Sequence, residues 1–137
     1  MPFGNVLGEY TYHAMAVKQT DQGGGRVRIE VDLSGESTGQ EPGKLLCTMV
    51  IEGSGPGRPA TYSVSGTLFG VSGAVVRFSS CGMGIRTGEG HKARYRGTVS
   101  YATDDPKLAA FNTLIAATEF EADPVTLTVK GVVCEWN

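Results

Sequence analysis

The clearest pattern in the chain lies between positions 26 and 34. Val27, Ile29, Val31 and Leu33 alternate with Arg26, Arg28, Glu30 and Asp32. Successive side chains of a strand point to opposite faces, so an apolar period of two predicts a strand with one dry and one wet side. Val6–Lys18, Lys44–Glu52, Ala60–Phe69, Ala74–Ser80 (running on toward Arg86), His91–Ala102 and Val125–Trp136 also read as strands, rich in Val, Ile, Thr and Tyr. Within Lys44–Glu52, Leu45, Cys47, Met49 and Ile51 oppose Leu46, Thr48 and Val50. Both faces are apolar there, which predicts cover on both sides.

One segment departs from the period of two. After Asp104-Asp105-Pro106, the apolar residues Leu108, Phe111 and Ile115 recur at helical spacing. An Asp before Pro supplies an N-cap, and Pro suits the first helical position, so a helix of about three turns is expected over Lys107–Thr118.

Turn signals separate these elements. The chain's 20 glycines cluster at Gly23-Gly24-Gly25, Gly53-Ser54-Gly55-Pro56-Gly57, Gly82 with Gly84, and Gly88 with Gly90. Glycine supplies the positive φ of tight connections, and turns at such short spacing point to an all-β sandwich or barrel. The long stretches at 6–18 and 91–102 favour the barrel, whose strands are tilted. The expectation is a mainly β fold: one antiparallel barrel of about seven to eight strands, with one short helix before the last strand. All 137 residues form one domain, a size that supports a core without covalent staples.

Composition narrows the partners. With 40% hydrophobic and 19% charged residues the chain is globular, and a net charge of −2 gives no electrostatic reason to expect nucleic acid or an anionic membrane. No apolar run approaches the ~18–20 residues of a membrane-spanning helix. The start, Met1 to Val6, lacks the charged and apolar regions of a secretory leader, which favours the cytosol. Cys47, Cys81 and Cys134 are odd in number and widely spaced, and are expected to be buried free thiols.

No Gly-x-Ser-x-Gly elbow or phosphate-binding loop is present. Gly82-Met83-Gly84-Ile85-Arg86-Thr87 begins like a dinucleotide loop but lacks its third glycine. With His13 and His91 as the only histidines, neither a metal nor another cofactor is expected.

Side-chain parity supplies the candidate chemistry. All five tyrosines, Tyr10, Tyr12, Tyr62, Tyr95 and Tyr101, fall in strands. Tyr95 and Tyr101 share a face with His91, Ala93, Gly97 and Val99; the opposite face carries Lys92, Arg94, Arg96, Thr98 and Ser100. Phenols beside small residues either fill a core or line a cavity that orients the polar atoms of a small, largely apolar ligand. Tyr95, His91 and Tyr101 are the candidate catalytic set, and Tyr10, Tyr12, Tyr62, Glu9, His13 and Arg86 the candidate ligand contacts. Glu9 and His13 enter only if their side of the first strand faces inward. There they stand about 13 Å apart along the strand, too far for a dyad. The basic group Arg86, His91, Lys92, Arg94 and Arg96 reads either as an anion site or as a solvated edge.

The stretch Ala93-Arg94-Tyr95-Arg96-Gly97-Thr98, then Asp104-Asp105-Pro106-Lys107-Leu108, Asn112 and the strand to Trp136 resembles the end of a bacterial domain-of-unknown-function family of small β-barrels. The resemblance is confined to the C-terminal third. It implies a calycin-like or allene-oxide-cyclase-like barrel, a fold that serves both non-catalytic carriers and cofactor-free cyclases. The function expected is binding of a small organic ligand inside the barrel, with or without a cofactor-free isomerase, cyclase or lyase step. The alternatives are a carrier, and an oligomerising module with a filled core. A homo-oligomer is the only macromolecular partner left open.

Overall fold

The computed structural model describes residues 4–55 and 57–136. Eight strands follow one another: β1 Val6–Gly23, β2 Arg26–Gly39, β3 Gly43–Gly53, β4 Ala60–Gly70, β5 Val75–Arg86, β6 Ala93–Ala102, β7 Ile115–Asp123 and β8 Thr128–Glu135. Each pairs antiparallel with the next, and β8 returns to β1, closing a barrel. Closure pairs the first strand with the last, and it decides for the barrel over the sandwich.

Why the strand faces sort as they do follows from the pairing register. Tyr10, Tyr12, Val31, Leu33, Leu45, Cys47, Met49 and Tyr62 point inward with the alternating residues of the remaining strands. The outer face of β3 is not covered: Leu46 keeps 44% of its surface exposed. A single closed sheet has nothing outside it to pack on that side, which overrides the expectation of two-sided burial. Cys81 is also exposed, on the outer face of β5, whereas Cys47 is buried and Cys134 half-buried; all three thiols are free.

The helix is the main correction. A 3₁₀ helix spans Pro106–Thr113, with Leu108 off helical geometry at φ −113, ψ 18. Asp105 caps it by accepting a hydrogen bond from the Lys107 N–H at 2.9 Å. Asn112 clamps the segment to the barrel, its amide oxygen accepting from the Thr103 N–H at 2.7 Å and its amide nitrogen donating to the Thr103 carbonyl at 3.0 Å. Ile115, expected on the helix, instead opens β7 and is 61% exposed. From there Ala116, Thr118 and Phe120 are buried inward while Glu119 and Glu121 face out. Pairing on both sides with β6 and β8 completes the closure, and this long-range gain outweighs the local helical spacing.

The glutamates of β7 also settle the basic face of β6. Arg94 Nε lies 3.5 Å from Glu119, Arg96 Nε 3.3 Å from Glu119, and Lys92 Nζ 3.6 Å from Glu121. These are cross-strand ion pairs on an exposed wall, each worth well under about 1 kcal/mol. Three of the five basic residues are therefore a solvated edge.

Strand β1 changes hands part-way. It pairs with β8 only as far as His13, then continues against β2 alone. A register shift between Ala14 and Ala16 inserts one residue, so the inner face passes from Tyr10, Tyr12 and Ala14 to Val17 and Gln19. Strict alternation placed Val17 on the face opposite Ala14. At the tip Gly23, Gly24 and Gly25 all take positive φ, between 62° and 80°, a run that residues bearing a Cβ would adopt only with strain.

Candidate functional site

The barrel interior is divided by an aromatic layer at its waist. The Tyr95 and Phe120 rings stack 5.0 Å apart at 14°, and Tyr62 meets both edge-on, at 5.6 Å from Tyr95 and 4.9 Å from Phe120. Glycines on neighbouring strands make room for these rings. Gly84 lies directly opposite Tyr95, Gly82 opposite Tyr62, and Gly131 opposite both Tyr10 and Phe120. A Cβ at Gly84 would run into the Tyr95 ring.

Two spaces flank this layer. On the side of the 3₁₀ helix a cavity of about 100 Å³ is lined by Tyr10, Tyr12, Tyr101 and Phe111, among others. Phe111 packs edge-on against Tyr101 at 5.2 Å. That volume admits a few waters and falls short of the ~300–1,000 Å³ of ordinary ligand pockets.

The opposite end is a mouth of about 450 Å³. Its walls are apolar: Ala14, Val17, Val27, Ile29, Ile51, Ala60, Ala93, Ala122 and Leu127. Tyr95 lines it together with Leu33, Met49 and Val129, which also line the smaller cavity. The polar rim consists of Gln19, Arg58, Arg86, His91 and Asp123. Leu127, in the β7–β8 turn beside it, is the one described non-glycine residue with positive φ, at 58°. A bulky residue held in that region costs free energy, and such strain concentrates where chain geometry serves a site.

The five tyrosines all point inward, which for Tyr10 and Tyr12 decides the face of β1 that parity leaves open, but they serve different spaces. Tyr10 donates its hydroxyl hydrogen to Thr118 Oγ1 at 2.7 Å, because Thr118 spends its own hydrogen on the Val132 carbonyl at 2.9 Å. Tyr62 is bonded to Ser80 Oγ at 2.9 Å. Tyr12 is buried beside Cys47, whose thiol is pushed up to about 11, chiefly by burial. Tyr95 and Tyr101 have no side-chain hydrogen bond among the described residues, yet no described buried side-chain polar atom lacks a partner. Their hydroxyls therefore retain access to open space, Tyr95 at the mouth and Tyr101 at the smaller space on the 3₁₀-helix side.

The candidate trio of Tyr95, His91 and Tyr101 is thus not assembled around one space. Tyr101 lies beyond the aromatic layer, and His91 sits in the β5–β6 turn because β6 begins only at Ala93. Arg86 and His91 are exposed on the rim of the mouth. Glu9 and His13 are exposed on the outer face of β1, opposite the tyrosines. Sequence reasoning missed Arg58 in the β3–β4 loop. Neither composition nor periodicity marks it; only the folded barrel puts that loop on the rim of the mouth.

Burial raises every tyrosine above its ordinary value: Tyr101 reaches about 12, and Tyr10, Tyr12, Tyr62 and Tyr95 are shifted upward as well. In the folded barrel they are neutral phenols, suited to donating hydrogen bonds and unsuited to acting as bases near neutrality. A stability consequence follows. Between pH 10 and the raised native values the unfolded chain releases phenolic protons that the native barrel keeps, so stability is complete below pH 10 and falls as pH rises through about 12. Tyrosinate absorbance of the native protein should stay low at pH 11 while a urea-unfolded sample ionises near 10. Coincident titrations would refute the buried placement.

No group of three or more possible metal ligands occurs among the described residues, and no described helix is long and apolar enough to cross a membrane. No family model and no curated relative matches the chain. Solved structures do resemble it. A protein of unknown function from Clostridium acetobutylicum superposes with a TM-score of 0.83 at 17% identity, covering 100% of both chains. A conserved protein of unknown function from Rhodopseudomonas palustris gives 0.81 at 15%, covering 96% of this chain and 95% of its own. A β-barrel-like protein from Acinetobacter baumannii gives 0.77 at 14%, covering 100% of this chain and 98% of its own. At such identities the shared property is the fold, and it runs through the whole chain.

Proposed function

We propose that this barrel is a binding protein that takes a small, largely apolar organic molecule into its open mouth. The observation that carries this reading is the mouth itself: about 450 Å³ of space walled by aliphatic side chains, with a few polar groups at its rim. Apolar walls supply the driving force, and a small number of polar atoms fixes orientation. Tyr95 contributes a hydroxyl with no protein partner among the described side chains, so it is the natural donor to such a ligand. Binding without turnover is favoured over isomerase or cyclase chemistry because the candidate groups Tyr95 and Tyr101 lie on different spaces.

A neutral fluorescent probe, N-phenyl-1-naphthylamine, tests the reading. Saturable one-to-one binding is expected. Ala122→Phe, which adds a ring to the mouth's wall, should weaken it at least tenfold. Tyr95→Phe should leave melting within a few degrees of wild type while reducing affinity for a ligand bearing a hydrogen-bond acceptor. Absence of saturable binding, or binding indifferent to Ala122→Phe, would sink the proposal.

A further inference from the structure

The rim charges of the mouth are unevenly shared. Arg58, Arg86 and His91 line it against one carboxylate, Asp123. Asp123 is already engaged: its Oδ1 accepts from the Val125 N–H at 2.9 Å and the Thr126 N–H at 3.5 Å, closing the β7–β8 turn. Neither Arg58 nor Arg86 makes an ion pair among the described residues, whereas Arg94 and Arg96, on the outer face of the adjacent strand β6, are both paired with glutamate.

The two unpaired arginines reach the mouth from neighbouring elements. β4 pairs with β5 from Ala60, opposite Gly84, onward. Arg58 precedes that pairing in the β3–β4 loop, where its N–H donates to the Gly55 carbonyl at 3.4 Å; Arg86 is the last residue of β5, and His91 follows in the β5–β6 turn. All three line the same opening. Cations gathered at one opening repel one another unless something negative lies between them. In a chain whose net charge is −2, two arginines without a carboxylate partner on the rim of one apolar well are a local reversal of sign.

Taken together with the binding reading above, on which it rests, we infer that the ligand is an organic anion: an apolar body inside the mouth and a carboxylate at its edge, held between Arg58 and Arg86 with His91 beside them. The guanidinium fork matches a planar carboxylate bidentately, and the neighbouring apolar wall lowers the local dielectric and strengthens the pairing. The apolar body sets depth, and the arginines set which end stays out.

The test compares 2-naphthoate with its uncharged methyl ester by titration calorimetry, on the wild type and on an Arg58→Gln/Arg86→Gln double variant. Both arginines are exposed, so the double variant should melt like the wild type. The acid is expected to bind at least tenfold more tightly than the ester, the advantage shrinking at high salt and vanishing in the double variant. Equal binding of acid and ester overturns the anion assignment and leaves the mouth as a neutral site. An acid preference that survives the double substitution overturns the assignment to these arginines. Failure of both compounds to bind the wild type removes the binding reading and this inference with it.

Discussion

Replacing Phe120 by alanine is expected to destabilise the barrel by about 3–5 kcal/mol, the usual cost of removing a buried aromatic ring. Phe120 is 5% exposed, stacks on Tyr95 and receives the edge of Tyr62. Gly131 opposite it offers no side chain to collapse into the gap. The vacated volume would lie between the small inner cavity and the mouth, so the loss combines transfer free energy with a cavity term. At about 4 °C per kcal/mol for a domain of this size, melting should fall by about 12–20 °C. Phe120→Leu, which keeps most of the volume, should cost under about 2 kcal/mol. Calorimetry or urea unfolding decides it. A Phe120→Ala variant that melts within a few degrees of wild type would show that the waist is not packed as described.

The converse substitution, adding matter where the barrel has none, should be nearly as damaging. Gly97→Ala would direct its new methyl group onto the Cys81 carbonyl oxygen and the Tyr62 hydroxyl, with the Cys81 carbonyl carbon only 2.8 Å away. Tyr62, Gly82 and Gly97 form one row across β4, β5 and β6, and the ring lies over the two glycines. The backbone carbonyl cannot swing aside without breaking sheet pairing, and displacing the phenol breaks its bond to Ser80. A loss of about 3 kcal/mol is expected, at the upper end of ordinary overpacking costs. Glycine's flexibility is not at issue at this position, since its φ is not positive. Combining Gly97→Ala with Tyr62→Phe should recover part of the loss by removing the colliding oxygen. A lack of any recovery would place the whole cost in the backbone.

Both predictions rest on contacts invisible to strand periodicity. Alternation put Tyr95 and Tyr101 on one face and Tyr10 and Tyr12 on one face, because a period of two needs only neighbours along the chain, but it left open which side of β1 turns inward. It failed at two places for definable reasons. Ile115–Asp123 carries alanines, whose high helix propensity agrees with the spacing of Leu108, Phe111 and Ile115; the alternation of Glu119 and Glu121 around Phe120 was the discordant sign of a strand. β1 reverses its inner face after Ala14, because a bulge is a feature of a strand pair and leaves no mark in one strand's sequence. The candidate site was half legible for the same reason. Tyr95, Arg86 and His91 could be proposed from parity and composition, whereas Arg58 becomes relevant only when the closed barrel puts the β3–β4 loop on the rim of the mouth.

What the sequence determined alone is the set of strands with one dry face, the glycine turns between them, and the sharing of one face by Tyr95 and Tyr101. These are consequences of backbone geometry and hydrophobic burial acting over a few residues. The tertiary structure decided which side of β1 turns inward, the eighth strand, the division of the interior by an aromatic layer, and the placing of two arginines on the rim of one open end. Each depends on pairing register between strands distant in sequence, and register is set by closing the whole barrel at once.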